Sequence, residues 1–355
     1  MLTSAIPTHL QCTRTQPAGL PAADFQPPYP SYSVRFPEKV SDLVMAIIGA
    51  QFKTDDATKT AAAQSTLTTF LTSPNSPPTF FEWATVTDAK GYYNLSTLAY
   101  WPSKAVFETW ATDSGFNKWW ESLDPTTCSH GWFLEIFFPT TNRFETLFNT
   151  TANPEGSAYM RETMSEEVRE HGYWGSMRDR LPIAQTDPLV SSLSPSQMEK
   201  SSSSGSGNEN ELCTRVTIPG RKNLTVIRSG QDWGATTPEE RQLYLETMHP
   251  VLTRGMDFLR DHGREEDVGC FSCRFMTSTG KDRTFGLAYF QDLASLERWC
   301  REHETHLAIF RGFHAYAKKL NNQVTLKVFH EVMVLEEEQQ RFEYVACHKG
   351  TGMLA

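Results

Sequence analysis

A chain of 355 residues, 39% hydrophobic and 12% aromatic, can bury a full core as one large or two small domains and is too apolar for global disorder. Its 33 Lys and Arg face 42 Asp and Glu, a net charge of -9 with no basic stripe, which argues against nucleic acid or an anionic membrane as partner. No apolar run approaches a membrane span and residues 1–30 lack the blocks of a signal peptide, while seven cysteines without framework spacing suit a reducing cytoplasm.

Residues 1–30, rich in Pro, Thr and Ala, read as an extended arm that wraps the surface or a partner. Residues 31–150 read as a first unit. Ser33–Phe36 is strand-like, Asp42–Phe52 and Asp55–Leu71 have helical patterns, and Phe80–Val86 and Tyr93–Trp101 are strands around a turn at Gly91. Ser103 caps a helix running towards Trp120, and Trp132–Phe138 is a further strand. Residues 151–210 form a connection, ordered over Tyr159–Arg180 and ending in a flexible, serine-rich insertion over 191–210.

Residues 211–355 repeat the order. Leu224–Arg228 is a strand, and Thr237, Pro238, Glu239 and Glu240 open a helix to about Asp261. Val268–Met276 and Thr284–Phe290 form a hairpin, Trp299–Phe313 is a helix, and a last strand runs from Val324 to Leu335. Leu98-Ala99-Tyr100-Trp101 aligns with Leu287-Ala288-Tyr289-Phe290, and at the same offset Gly91 aligns with Gly280 and Trp110 with Trp299. The expected fold is α+β: two duplicated ferredoxin-like (split βαβ) halves whose sheets face each other in a dimeric-α+β-barrel-like core. Cys270 and Cys273 fall in a strand with their thiols on opposite sides, a structural pair rather than a metal or redox motif.

Histidines stand out in the second half. His303 and His306 share the apolar face of the helix with Trp299, Phe310 and Phe313. His330 is in phase with Val328, Val332 and Val334 on the buried side of its strand, with Lys327 and Glu331 assigned to the other side. Three converging imidazoles suggest a site but do not name a metal or cofactor. His306 aligns with Asn117, so one site per chain is expected, in the second half.

The runs Thr305-His306-Leu307-Ala308-Ile309-Phe310 and Phe329-His330-Glu331-Val332 resemble the haem-binding end of the aldoxime dehydratases (the phenylacetaldoxime dehydratase family). The segments 172–180, 227–233 and 347–354 agree, in the family's order. The resemblance implies a lyase that dehydrates aldoximes to nitriles, with ferrous haem b bound non-covalently, since no Cys-x-x-Cys-His is present. It implies that His306 is the axial iron ligand and that ferrous haem binds the oxime nitrogen. It further implies that His330 protonates the leaving hydroxyl, that Ser229, at a strand end before Gly230, orients the oxime oxygen, and that Arg178 holds the distal network. Arg180 is assigned to a haem propionate and Glu145, within Arg143–Phe148, to a functional acid. An arylalkyl or alkyl aldoxime is the expected partner, with a homodimer in the cytoplasm. A haem peroxidase or chlorite-dismutase-like enzyme, with Arg178 distal and His330 structural, is the alternative within the same fold; a haem-free barrel binding a small apolar ligand is the third reading.

Overall fold

The computed structural model describes residues 2–19, 26–152, 154–172, 176–191, 212, 214–265 and 267–354. Most of the serine-rich stretch, and Tyr173, Trp174 and Gly175 of the 172–180 segment, lie outside the described residues.

In chain order the first part comprises β1 (Val34–Arg35), β2 (Val44–Phe52), α1 (Ala57–Leu71), β3 (Phe80–Thr87), β4 (Tyr93–Trp101), α2 (Lys104–Asp113), α3 (Phe116–Ser122), β5 (Gly131–Phe137) and β6 (Phe144–Phe148). The connection contains β7 (Thr163–Met164) and the one-turn helix α4 (Met177–Arg180). The second part comprises β8 (Arg215–Ile218), β9 (Leu224–Asp232), α5 (Pro238–Leu243), α6 (His249–His262), β10 (Cys270–Ser278), β11 (Arg283–Phe290), α7 (Leu293–Glu302), α8 (Glu304–Lys319), β12 (Lys327–Leu335) and β13 (Gln340–Val345).

Eleven strands form one antiparallel sheet in the order β6-β12-β9-β11-β10-β3-β4-β2-β5-β13-β8. The sheet is curled. Side chains from one face of strands far apart in this order meet in a single cluster, including Met45 and Ile47 of β2, Phe137 of β5, Leu287 and Tyr289 of β11 and Met333 of β12. Phe137 and Tyr289 meet edge to face, with ring centres 5.4 Å apart. The convex face is covered by helices. α1, α2 and α3 bury Leu67, Trp110 and Trp120 on the first part, and α6, α7 and α8 cover the second. Among the described residues no helix is long and apolar enough to cross a membrane.

The two parts exchange strands. β6 leaves the first part and pairs with β12, and β13 leaves the second and pairs with β5. The arm lies on the chain itself: Ala5 donates its N–H to Glu170 at 2.7 Å, and Arg35 donates to the carbonyls of Ser4 and Ala5, both at 2.6 Å. Tyr29 packs against Phe313 of α8.

Three local expectations are corrected. Residues 44–52, expected as helix, form β2. This strand lies between β4 and β5, and all nine of its side chains are buried, so both faces are apolar and the two-residue alternation of a strand is erased. The helix expected over 299–313 is broken at His303, which caps α8 by accepting the Thr305 N–H. β9 does not stop at Arg228 but continues through Asp232, so Ser229 is a mid-strand residue. Gly230 reads as a breaker, yet it is needed for packing: a Cβ there would lie 2.2 Å from the Phe329 ring.

Candidate active site

Strand register builds the floor of the site. On the convex face of β9, β11 and β12, Ser229 lies opposite Gly286 on one side and His330 on the other. Ile227, Ala288 and Val332 form the row to one side of these three. Gln231, Thr284 and Val328 form the row on the other side. The floor is thus apolar on the Ile227 side of Ser229 and His330 and carries the polar Gln231 and Thr284 on the other. Helices α6 and α8 stand above it, and between floor and helices lies a cavity that opens to solvent. Leu252, Met256 and Leu259 of α6 line it, as do His306, Ile309 and Phe313 of α8.

The chain enters α5 through Thr237, which accepts the Glu240 N–H. A π-turn at Tyr244–Met248 then joins α5 to α6 and brings both of its end residues to the cavity wall. Such turns recur at functional sites because the extra residue widens the helix and re-aims its side chains.

His303 and His306 separate cleanly. His303 is spent on capping, with its ring stacked on Phe258 at 4.1 Å. His306 lines the cavity, edge-on to Trp299 at 4.8 Å. Burial pushes its imidazole down to about 4, the Cys300 backbone partly opposing this, so the ring is neutral at physiological pH. Its Nδ1 is sealed from solvent without a bonded partner. A neutral imidazole on a rigid helix, in an apolar slot, is what non-covalent haem requires of an axial ligand, and ligation would give the sealed Nδ1–H a reason to close on the neighbouring Cys300 backbone. The apolar lining fits the same group.

A buried charged cluster backs His330. Its Nε2 is 2.9 Å from Glu145 Oε1 and 3.0 Å from Arg180 Nη2. Arg180 donates from Nε to Glu145 Oε2 at 2.9 Å and from Nη2 to Glu145 Oε1 at 3.2 Å, and its Nη1 donates to the Glu170 carbonyl at 2.8 Å. All three side chains are at most 5% exposed. Burial alone would raise the Glu145 carboxyl, but Arg180 and His330 hold it below the usual range. Burial pulls the His330 imidazole down, and Glu145 partly restores it. His171 stands at the rim; its Nδ1 donates to the Tyr29 carbonyl at 3.2 Å, and burial, seconded by Arg180, pushes it down to about 4.

Of the residues singled out from sequence, the fold gathers His306, Ser229 and His330 around one cavity, with Glu145 bonded to His330. Arg178 is elsewhere. It pairs with Glu297 of α7 at 2.8 Å and donates to the Pro188 carbonyl at 2.9 Å. Positions two apart on a helix point about 200° from each other, so α4 can aim only one of its two arginines inward, and that one is Arg180. The structure thus places Arg178 against Glu297 and Arg180 beside Glu145 and His330. The 172–180 segment carries both arginines, and nothing local distinguishes them. Glu145 is buried, and Glu331 is fully buried inside the curled sheet rather than solvated.

A neutral helical imidazole thus lines the same apolar cavity as a serine–histidine floor on a curled α+β sheet. The chain belongs to the haem-containing dehydratase family, whose sequence profile matches residues 46–353. It is 38% identical to the aliphatic aldoxime dehydratase of Pseudomonas chlororaphis, over 99% of this chain and 97% of that protein. It is 30% identical to the phenylacetaldoxime dehydratase of Bacillus sp. (strain OxB-1), over 91% and 90%. An aldoxime dehydratase crystallised in complex with butyraldoxime superposes with a TM-score of 0.86 at 34% identity, covering 99% of this chain and 96% of that one.

Proposed function

We propose that the protein dehydrates aldoximes to nitriles at a haem held by His306. The observation that carries this reading is the convergence of Ser229 and His330, the latter backed by Arg180 and Glu145, on the cavity that His306 also lines. When bound, ferrous haem supplies an electron-rich centre that takes the oxime nitrogen and weakens its bond to oxygen.

The chain's own residues supply the rest. Removing hydroxide from nitrogen requires a proton at the departing oxygen, and a positioned general acid contributes about 10²–10⁴-fold. His330 delivers that proton. Its Nε2 lies beside Arg180 and the acceptor Glu145: the protonated ring donates Nε2–H to Glu145, and after the other nitrogen gives up its proton the neutral ring keeps that Nε2–H bond without rearrangement. Because Nε2 is held by this pair, Nδ1 is the nitrogen that passes the proton to substrate. Ser229, opposite His330 in the ladder, orients the oxime oxygen beside that acid. The apolar walls exclude water and accept an alkyl or arylalkyl tail.

A peroxidase-like reaction on the same scaffold would lean on a distal Arg178, which instead pairs with Glu297. The two halves are duplicated ferredoxin-like units, supported by equal strand orders, β12-β9-β11-β10 and β5-β2-β4-β3. The enzyme acts in the cytoplasm as a homodimer, with haem b in the C-terminal half. The test is anaerobic. Haem-loaded protein reduced with dithionite should convert phenylacetaldoxime or butyraldoxime to nitrile, and the oxidised form should not. A Soret band without nitrile from either substrate would favour the peroxidase-like reading, and folded, haem-supplied protein without a Soret band would overturn both.

A further inference from the structure

Directly behind the Ser229–His330 pair, on the opposite face of the same two strands, Arg228 is paired in register with Glu331. Both side chains are 0% exposed inside the curled sheet. Arg228 Nη1 lies 3.3 Å from Glu331 Oε2, and its guanidinium is held between the Phe285 and Phe329 rings at 4.7 and 4.8 Å. Each partner is tied to a distant part of the chain. Arg228 also pairs with Glu82 of β3. Glu331 accepts from the Tyr100 hydroxyl of β4 at 2.7 Å and from the Ser157 N–H of the connection at 2.7 Å. Gly156, at φ +53°, permits this approach, since a Cβ there would lie 2.5 Å from Glu331 Oε2.

We propose that Arg228 and Glu331 are positioning residues for the reaction: an ion pair inside the sheet that fixes the register of β9 and β12, and thereby sets Ser229 opposite His330. The reasoning is geometric. Side chains alternate across a strand, so a slip of β12 by one residue against β9 would turn His330 to the interior and the Glu331 charge to the apolar cavity, away from Ser229 and Arg228. A buried pair is a weak general source of stability but a strong penalty on every register that separates it. Here it sits one residue from each of the two groups whose mutual placement the reaction needs, and it is anchored to Glu82 and Tyr100 of the first part. The first half thus carries a share of the active-site geometry although it contributes no side chain of its helices or hairpin to the cavity lining.

The proposal rests on the roles assigned above to Ser229 and His330. Its test is Glu331→Gln in the haem-loaded protein, with Tyr100→Phe as a milder second variant that removes one hydrogen bond to Glu331. Glutamine keeps the shape and an acceptor for Ser157 but removes the charge facing Arg228. The expected result is a kcat lowered about ten- to hundredfold, as for small misplacements of reacting groups. KM and the Soret spectrum should be nearly unchanged, and the carbon monoxide stretch of the reduced carbonyl complex should shift, because that band reads the polar groups facing the iron. Tyr100→Phe should show the same pattern at smaller size, and it carries the test if Glu331→Gln fails to fold. If both variants melt earlier yet keep kcat within about twofold and an unshifted carbonyl band, the pair merely stabilises the fold and the proposal is overturned. If kcat falls only in proportion to lost haem, it is overturned as well. Ser229→Ala and His330→Ala, measured alongside, separate the two readings, since full activity in them would remove the assigned roles rather than the register argument.

Discussion

Glu145 Oε1 lies 2.9 Å from His330 Nε2 although the two residues are 185 positions apart. The contact exists because β6, formed after the first half is complete, pairs with β12 of the second. Arg180 closes the cluster from α4.

The first prediction separates the two arginines of α4. Arg180→Leu leaves Glu145 buried without its cation. Activity should fall by at least about a hundredfold with haem retained, in the range of a lost general-acid system. Arg178→Leu removes a partly exposed pair with Glu297 and should cost at most about 1 kcal/mol in stability with kcat nearly unchanged. Steady-state kinetics on both variants decides the matter, and the reverse ranking would remove Arg180 from the site.

The second concerns the two helical histidines. His306→Ala should abolish the Soret band of haem-supplemented protein. His303→Ala should keep it and lose only a helix cap, about 1 kcal/mol by thermal melting. Loss of haem in the second variant alone would overturn the ligand assignment.

A pH profile tests the His330–Glu145 pair. The acid form of His330 is lost as pH rises through its lowered pKa, so this group sets an alkaline limb of kcat. Burial and Arg180 pull that pKa down, while Glu145 pulls it up. Glu145→Gln should therefore move the limb to lower pH. A limb that stays in place would show that His330 does not supply the rate-limiting proton.

The apoprotein should also respond to acid. His306 and His171 are each pushed from an ordinary 6.5 down to about 4, burial being the main cause. Below 6.5 the unfolded chain then binds more protons than the folded one, so stability falls as pH drops from about 6.5 towards 4. His306→Phe should flatten part of the fall in melting temperature across that window. An unchanged slope would mean that His306 is not buried as described.

The tail segment has a structural part to play. His348 Nε2 lies 2.7 Å from Asp88 Oδ2, its backbone N–H donates to Gln51 Oε1 at 2.9 Å, and its ring packs on Tyr92 at 4.3 Å. These partners belong to the first half, away from the cavity. His348→Ala should cost about 1–3 kcal/mol by denaturant unfolding and leave the Soret band in place. A lost Soret band in folded protein would tie the tail to the site after all.

Legibility in the sequence followed the physics of each signal. Strands with one polar flank or a clear turn, such as Tyr93–Trp101 around Gly91, were readable, as was the capped entry at Thr237–Pro238. His330 was readable because alternation survives on β12. Its neighbour Glu331 was assigned to the correct face but the wrong environment, since a curled sheet buries both faces and local pattern cannot register closure. β2 was lost for the same reason. The choice between Arg178 and Arg180 depends on which side of one helical turn meets β6, a tertiary fact with no local trace. Capping by His303 was hidden because histidine is an uncommon cap and the apolar spacing ran straight through it.

The strand exchange makes the molecule a clasp rather than two beads. The last strand to be synthesised, β13, completes the first half by pairing with β5, and β6 waits beside an empty edge until β12 exists. A chain truncated before residue 340 therefore lacks β13 and leaves the edge of β5 unpaired. By contrast, a backbone cut between Ser191 and Leu212 interrupts none of the described strands: the two fragments present complementary edges at β5, β6, β12 and β13, and co-expressed they should knit into a working enzyme.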